Sequence, residues 1–410
     1  MPTKTHDAIY QSTNVMKLAI YGAEPLPRSS PGPMGTCVRF LKRARAFNRD
    51  AKSFLTGDLT GLDYRNYLSP YTINQGDLAI GQSVTRFVRA HAPEAPIELI
   101  RWGEAKSQET TWLDFVIAGS GYIIFDVKGH VAPRLIQDIK FFKQYGIRPI
   151  LFGVGINQPS ALTQNGGNID IAPAIEANLR ELLLMTKAIS VRDPFTQATL
   201  SRYTDKRVEL IGDPALHFGH LHDIRHTVRP SSQRRCPLIG LNLNFHGASS
   251  TKLLQRNLPI FANAIKSIRD EHHCDFRYLV HFDTSLVIPK LLALEGIEME
   301  VIQGSPETLT RGYAELDLHI GGMLHSCILA HSVDTPAIAL AYDIKHRGFM
   351  ELFGLERNCL PAADLTVSAL IERVRDVLAH PALYREAIST TRERLERITH
   401  DFAQTSLSAR

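Results

Sequence analysis

Two neighbouring segments decide the fold of this 410-residue chain: GGMLHSCILA at 321–330 and TPAIALAYDIK at 335–345. In the first segment, His325 stands where an apolar strand is expected to end and an apolar helix to begin. Lys345 follows just after a second apolar strand. Because the carboxyl ends of parallel strands line the ligand cleft of an α/β sheet, the pattern predicts an acid–base group beside a fixed positive charge at one cleft edge.

The same alternation of short apolar runs and helix-length segments extends along most of the chain. It predicts two sets of strands, at 15–21, 97–101, 115–117, 149–152, 188–191 and 208–211, and then at 238–243, 278–281, 298–302, 316–320 and 337–341. Most runs are followed by Gly, Asp or Asn and an amphipathic stretch, which is typical of βαβ units in a parallel sheet. The predicted fold class is α/β, with two Rossmann-like domains facing each other across a cleft.

The predicted domain boundaries lie where this alternation of strands and helices is interrupted. The stretch 217–237 is rich in His, Arg, Ser and Pro, as linkers are. We predict an N-terminal domain over 1–220, a linker over 221–237, a C-terminal domain over 238–380, and a C-terminal helix over 381–410 that packs back on the N-terminal domain. The N-terminal domain contains a basic helical insertion at about 24–70. That helix either docks on an anionic membrane or packs on the sheet as an ordinary surface helix.

Composition limits the classes of function. Hydrophobic residues make up 44% and charged residues 21% of the chain, as in soluble globular proteins. The net charge of +4 suits an anionic substrate or membrane surface and is too small to indicate nucleic acid. The five cysteines form no CxxC pair, which argues against a disulfide framework or zinc site. With no signal-peptide pattern and no spanning apolar run, we expect a cytoplasmic protein, at most peripheral at the inner face of a membrane.

Small and polar residues follow several strands of the first half. Asn74, Gly76 and Asp77 precede an amphipathic helix, whose start attracts anions and for which Asp77 is a candidate N-cap. Gly119 and Ser120 follow another strand, where glycine lets the backbone approach a ligand or turn tightly. Neither this loop nor the GVG at 153–155 completes a dinucleotide fingerprint, and no phosphate-binding P-loop occurs.

Two further strand ends of the first half carry charge. Arg192 is suited to bidentate contact with phosphate or carboxylate, or else to an ion pair with Asp193, which can cap the next helix. Asp213 repeats the same strand–Gly–Asp–Pro pattern. The histidines crowded in the linker fit no recognised ligand spacing, so we predict no metal site.

The second half has comparable positions. Asn244 lies near the end of its first strand, and His281 and Asp283 follow the second strand on one side by alternation. These side chains could bind sugar hydroxyls, assist proton transfer, or only cap the strand ends.

Together the motifs resemble those of the polysaccharide pyruvyl transferase family over roughly residues 70–356. The resemblance rests on NxGD at 74–77, RD at 192–193, GDP at 212–214, and LHS at 324–326 with the downstream PxIxxxYxxK. Family members often carry arginine where this chain has Met323, and Arg347 is a candidate to compensate for that charge.

The resemblance implies a glycosyltransferase-B-like fold and the transfer of pyruvate from phosphoenolpyruvate to a sugar as a cyclic ketal, with release of phosphate. It implies acid–base work for His325 and phosphoenolpyruvate binding by Arg192, Lys345 and Ser326. The expected partners are phosphoenolpyruvate as donor substrate and a sugar or lipid-linked oligosaccharide as acceptor, with no cofactor and no nucleic acid.

Two alternatives remain open from the sequence. One is a nucleotide-sugar glycosyltransferase of the same architecture, although Glu351 and Glu356 are too close together for the glutamate pair of its retaining members. The other is a catalytically inactive binding homologue, suggested by Met323.

Overall fold

The computed structural model describes residues 17–22, 74–102, 112–119, 121–126, 129–158, 171–224, 236–245 and 250–407. The insertion at about 24–70 with its basic helix, Ser120 and residues 225–235 of the linker lie outside the described residues. Within the described part, no helix combines the length and apolar character that crossing a membrane requires.

The first half of the chain is a parallel six-stranded sheet with helices on both faces. Its elements are β1 (Lys17–Tyr21), α1 (Gln75–His91), β2 (Ile97–Ile100), β3 (Trp112–Ala118), β4 (Ile123–Ile124), α2 (Pro133–Tyr145), β5 (Pro149–Val154), β6 (Ile156–Asn157), α3 (Pro173–Met185), β7 (Ala188–Val191), α4 (Pro194–Leu200), β8 (Val208–Leu210) and α5 (Phe218–Leu221). The strand order is β2-β1-β3-β5-β7-β8, and the short strands β4 and β6 pair separately. Every pairing in the sheet is parallel.

The second half repeats this architecture. Its elements are β9 (Leu238–Asn242), α6 (Ser250–His272), β10 (Asp275–Val280), α7 (Val287–Leu294), β11 (Glu300–Gln303), α8 (Pro306–Ala314), β12 (Leu318–Gly321), α9 (Leu324–His331), β13 (Ala337–Ala341), α10 (Ile344–Leu352), β14 (Cys359–Pro361), α11 (Val367–Ala379) and α12 (Pro381–Leu407). The order β11-β10-β9-β12-β13-β14 is that of a dinucleotide-binding Rossmann sheet, and it reverses between β9 and β12. Ligands of such sheets bind at the reversal, beside the carboxyl ends of the strands.

The predicted α/β class with two Rossmann-like domains is confirmed. The strands expected at 188–191 and 337–341 have the observed bounds, and the other nine lie within a few residues of their observed counterparts. The sequence pattern missed β4, β6 and β14, which have only two or three residues each. Runs this short carry too little hydrophobic periodicity to be distinguished from loops.

The two domains share one apolar core. It joins Ile80 and Phe87 of α1 and Phe152 of β5 to Cys327 of α9 and Phe349 of α10. Each sheet also has an apolar cluster of its own on its other face, one in the N-terminal domain and one in the C-terminal domain. Since a large apolar interface restrains relative domain motion, the halves are held together around the small cavity between them.

The long closing helix α12 belongs in sequence to the second half and packs on the first. The Thr399 hydroxyl donates to the carbonyl oxygen of Ile211 at 3.3 Å, and Phe402 packs edge-on against Phe152. Near the middle of the helix, Arg392 forms a two-pronged ion pair with Asp334 of the C-terminal domain. The helix therefore contacts both domains.

Candidate active site

A cavity of about 50 Å³ lies between the domains, beside the carboxyl ends of strands from both sheets. The N-terminal domain lines it with Asn74, Gly121, Asn157 and Arg192, and the C-terminal domain with Phe282, Met323, Leu324, His325, Tyr342 and Lys345. The sequence predicted Asn74, Arg192, His325 and Lys345 as site residues, and the fold brings these four together.

His325 is the second residue of α9, directly after the turn that follows β12. Its side chain is only 12% exposed, because the ring is pressed against the start of α1 in the other domain. A β-carbon added at Gly76 would lie 2.1 Å from Cγ of His325, closer than any side chain could tolerate. Gly76 therefore makes room for the imidazole of His325.

Asn74 is the N-cap of α1, so the prediction that Asp77 caps this helix is wrong. The side-chain oxygen of Asn74 accepts from the Gly76 N–H at 3.0 Å, which places Asp77 inside the first turn. Both side chains approach one nitrogen of His325. Nδ1 lies 3.4 Å from Asn74 Nδ2 and 3.8 Å from Asp77 Oδ1.

Arg192 follows β7 and is almost completely buried. Its Nε donates to Asp193 at 3.1 Å, and Nη2 donates to the Ile156 carbonyl at 3.2 Å and to Asn157 Oδ1 at 3.4 Å. Nη1 has no hydrogen-bond partner within the described parts of the chain. The guanidinium lies over Gly155, where a β-carbon would come within 2.3 Å of it. The predicted ion pair of Arg192 with Asp193 is observed, and contact of its guanidinium with a phosphate or carboxylate stays a prediction.

Lys345 begins α10, whose N-cap is Asp343. The Asp343 carboxylate accepts from the Lys345 N–H at 3.2 Å and, across the domain boundary, from the Gln158 N–H at 3.3 Å. The Lys345 ammonium lies 5.3 Å from the centre of the Tyr342 ring, a cation–π contact that extends it along the cavity wall. Asp343 thus ties the loop that carries Lys345 to the N-terminal domain.

Three helices of eight or more residues begin at this cavity: α1, α9 and α10. Each helix start presents the positive end of the helix dipole, although side-chain caps already accept from the Gly76 and Lys345 N–H groups. Added to Arg192 and Lys345, this makes the cavity suited to a small anion. The described residues contain no group of three or more His, Cys, Asp or Glu that could hold a metal ion.

The structure does not bring Ser326 or His281 to the cavity, and we correct their predicted placement. The buried Ser326 hydroxyl donates to the Met323 carbonyl at 2.7 Å and lies 2.9 Å from His319 Nε2. His281 is buried with its Nε2 2.7 Å from the Tyr313 hydroxyl, and burial lowers the pKa of its imidazole to about 3. Both residues support the sheet behind α9, so phosphoenolpyruvate contact by Ser326 and acceptor contact by His281 do not fit their positions.

Three other predicted cleft residues are also buried away from the lining. Asp213 caps a 3-10 helix by accepting from the Ala215 N–H at 3.0 Å, and burial raises its pKa to about 6. Gly119 has a positive φ of 42° and packs on Ile80 and Pro214. Asn244 donates to the Met323 sulfur at 3.7 Å.

The remaining predicted residue of this group, Asp283, begins a 3-10 helix directly after the strand end. Its side chain and the whole of Ser120 lie outside what the structure describes.

At position 323 the resemblance led us to expect an arginine. This chain instead has Met323, whose uncharged thioether is buried. It is the N-cap of α9 and makes no side-chain capping bond. Arg347 is exposed and acts electrostatically on Cys359, at the far strand of the sheet, so it does not compensate. The cations among the described lining residues are Arg192 and Lys345.

Sequence reasoning missed Asn157, Tyr342 and Asp343 as parts of the site. Asn157 ends the two-residue strand β6 and sits where a β-carbon on Gly121 would clash with it at 1.9 Å. A polar residue after the GVG turn was the available signal for Asn157. For Asp343 the signal was its position two residues before Lys345, as a helix cap.

The fold and site define a class: an α/β protein of two Rossmann-like domains, with a cavity between them lined by one histidine and two cations. The sequence profile of the polysaccharide pyruvyl transferase family matches residues 74–344, and the chain belongs to this family of polysaccharide-modifying enzymes. A search of curated proteins gave no match.

Several solved structures match this chain over most of its length at low sequence identity. An S. aureus MnaA–UDP co-structure is 10% identical, with a TM-score of 0.46, covering 96% of this chain and 93% of that chain. The UDP-GlcNAc 2-epimerase from Neisseria meningitidis bound to UDP-GlcNAc is 11% identical, with a TM-score of 0.45, covering 93% and 100%. The UDP-GlcNAc 2-epimerase from Methanocaldococcus jannaschii is 13% identical, with a TM-score of 0.44, covering 88% and 93%.

Proposed function

We propose that this protein transfers the pyruvyl group of phosphoenolpyruvate onto two hydroxyls of a sugar, forming a cyclic ketal and releasing phosphate. The observation that carries the proposal is the joint lining of one cavity by Arg192, His325 and Lys345. Two cations suit a donor with a carboxylate and a phosphate, and an imidazole beside them suits proton transfer to and from the reacting carbons.

In the proposed reaction, His325 donates a proton to the methylene carbon of phosphoenolpyruvate, and C2 gains oxocarbenium character. One sugar hydroxyl adds to C2 and gives its proton to the histidine. The bond between C2 and the phosphate oxygen breaks, a second hydroxyl adds to the same carbon, and its proton leaves with the phosphate. The products are the ketal and inorganic phosphate, so neither water nor an oxidant is consumed.

Each cation has a separate task in this scheme. Arg192, held by Asp193 and Ile156, offers its remaining nitrogen Nη1 as a charged donor to a carboxylate or phosphate. Lys345 is a more mobile point charge suited to the departing phosphate. Asn74 and Asn157 add amide groups of the kind that bind sugar hydroxyls.

The proposed acceptor is a sugar of a polysaccharide or of its lipid-linked precursor. Such precursors are assembled at the inner face of a membrane, which agrees with a cytoplasmic enzyme in peripheral contact with that face. The basic segment at about 24–70 is the proposed contact, through attraction to anionic lipid.

A phosphate-release assay with phosphoenolpyruvate and a panel of sugars carrying neighbouring hydroxyls tests this function. We expect release that depends on both substrates, a ketal methyl signal in the product by NMR, and loss of both in His325→Ala. Release of nucleotide from a nucleotide sugar, with none from phosphoenolpyruvate, would favour the glycosyltransferase. Thermal stabilisation by phosphoenolpyruvate without turnover on any acceptor would favour the inactive binding homologue.

A further inference from the structure

The ring nitrogen Nδ1 of His325 faces two side chains from the first turn of α1, in the opposite domain. Asn74 Nδ2 lies 3.4 Å from it and Asp77 Oδ1 lies 3.8 Å from it. The two neighbours have opposite hydrogen-bonding character, since an amide nitrogen only donates and a carboxylate only accepts. The protonation of Nδ1 therefore decides which of them it can bond.

The orientation of the Asn74 amide is set by its role as a helix cap. Its Oδ1 accepts from the Gly76 N–H at 3.0 Å, so the other end of the amide, Nδ2, must face His325. Because Nδ2 can only donate, Nδ1 accepts, and the neutral ring carries its proton on Nε2. The cap of one domain thereby selects the tautomer of the histidine in the other domain.

The charged form of the ring needs a different partner. An imidazolium carries a proton on both nitrogens, so Nδ1 can no longer accept from Asn74. Asp77 is then the acceptor, after a shift of about 1 Å that brings it within hydrogen-bond distance. Arg192, Lys345 and Tyr342 line the same cavity, and the two cations oppose the imidazolium, whereas the Asp77 carboxylate favours it.

We propose that Asn74 and Asp77 are positioning residues that set the protonation of His325 across the domain boundary. Asn74 holds the neutral ring as the Nε2–H tautomer, and Asp77 stabilises the imidazolium. This inference rests on the acid–base role proposed for His325. After the imidazolium gives its Nε2 proton to the methylene carbon, the remaining proton on Nδ1 is held by Asp77, and Nε2 accepts the proton of the first sugar hydroxyl.

Three substitutions distinguish the effect of Asn74 on His325 from that of Asp77 and keep the helix cap. Asn74→Asp keeps an oxygen for the Gly76 N–H but presents a second oxygen to Nδ1. Asn74→Ser keeps the cap and removes the donor, as a matched control. Asp77→Asn removes the negative charge at nearly constant shape. The full-length protein, labelled with ¹⁵N-histidine, is titrated by NMR in the absence of any substrate, and His325→Gln assigns the two ring signals.

We expect the parent protein to show the Nε2–H tautomer, Asn74→Asp to move the proton of the neutral ring to Nδ1, and Asn74→Ser to show a mixture. The pH midpoint of the ring should rise by about one unit in Asn74→Asp and fall by about one unit in Asp77→Asn. The pH profile of turnover should move with it. An unchanged tautomer in Asn74→Asp, or midpoints that move in the same direction in both variants, would overturn the proposal. Absence of turnover with the expected tautomers would count only against the pyruvyl transfer.

Discussion

The imidazole of His325 lies against the backbone of Gly76, so a histidine of one domain occupies the space where a side chain of the other domain would begin. A β-carbon at Gly76 would approach Cγ at 2.1 Å and Nδ1 at 2.2 Å. The proposed acid–base group therefore takes its position from contact with the N-terminal domain as well as from its own helix.

Gly76→Ala should displace His325 and lower kcat by two orders of magnitude or more, since a misplaced acid–base group loses most of its contribution. The measurement is turnover of phosphoenolpyruvate together with the urea midpoint of unfolding. The matched control is a double-mutant cycle. In a His325→Gly background both the ring and the β-carbon of residue 325 are gone, so Gly76→Ala should have no further effect on the urea midpoint. Additive losses in the cycle would contradict a direct steric link.

Arg192→Lys should weaken phosphoenolpyruvate binding by about 10–100-fold, because a single ammonium cannot both keep the bonds to Asp193 and Ile156 and donate to an anion in the cavity. Isothermal titration with phosphoenolpyruvate measures this. Arg207→Lys is the control, since Arg207 is 84% exposed and pairs with the nearby Glu209. Equal affinities in the two variants would remove Arg192 from the donor site.

Lys345→Met should raise the KM for phosphoenolpyruvate by roughly 10–100-fold, the value of a hydrogen bond to a charged group. Its effect on the free energy of unfolding should be small, because the ammonium packs on Tyr342 and makes no ion pair with a described residue. Lys143→Met, at a side chain that is 71% exposed, is the matched control. A loss of stability comparable to the loss of binding would indicate a structural lysine instead.

Ser326→Ala should destabilise the fold by about 1–3 kcal/mol, because it leaves the buried His319 Nε2 and the Met323 carbonyl without this partner. The affinity for phosphoenolpyruvate should stay within a few-fold of the parent. Urea unfolding and ligand titration on the same preparation separate the two effects. A large loss of affinity at unchanged stability would restore Ser326 to the donor site.

Buried neutral histidines should make the protein sensitive to acid. Burial lowers the pKa of His217, His281 and His331 to about 3, below the usual 6.5 of the unfolded chain. Unfolding therefore takes up protons below pH 6.5, and stability falls as the pH falls through this window, by about 1.4 kcal/mol per pH unit for each group. Two buried carboxyls whose pKa values are raised to about 6, Asp138 and Asp213, bind protons in the folded state and partly offset this loss.

His331→Phe isolates one such group. Both ring nitrogens of His331 lack a hydrogen-bond partner in the described structure, and the ring packs against Phe349 and Phe353. The substitution should keep the packing and reduce the slope of unfolding free energy against pH, between pH 6 and 4, by about 1.4 kcal/mol per unit. Urea titrations at several pH values give that slope. An unchanged slope would show that His331 does not enter the folded state as a neutral ring.

Much of the fold could be predicted because strand and helix boundaries depend on residues that are close together in the sequence. Apolar runs followed by Gly, Asp or Asn mark where parallel strands end and helices begin, and this placed Arg192, His325 and Lys345 at strand ends without any tertiary information. The helix cap at Asp193 was predicted on the same grounds and is observed, with Oδ1 accepting from the Thr196 N–H at 2.8 Å.

The sequence pattern could not predict in which direction each side chain points or how deeply it is buried. Ser326 follows His325 immediately, yet neighbouring residues on a helix point about 100° apart, so one ring reaches the cavity while the next hydroxyl turns into the core. Which direction is the core depends on the sheet behind α9, where His319 lies against Ser326 and the distant His281 lies against Tyr313.

The local chemistry of the chain thus dictated two Rossmann-like domains and the strand ends at which its reactive side chains lie. Assembly of the site from both domains came from packing. Gly76 against His325, Asn74 on its Nδ1 and the Asp343 bridge to Gln158 each join residues far apart in the chain. Such contacts arise because the shared apolar core brings the two domains together. The periodicity of the sequence does not indicate which loops that core will place face to face.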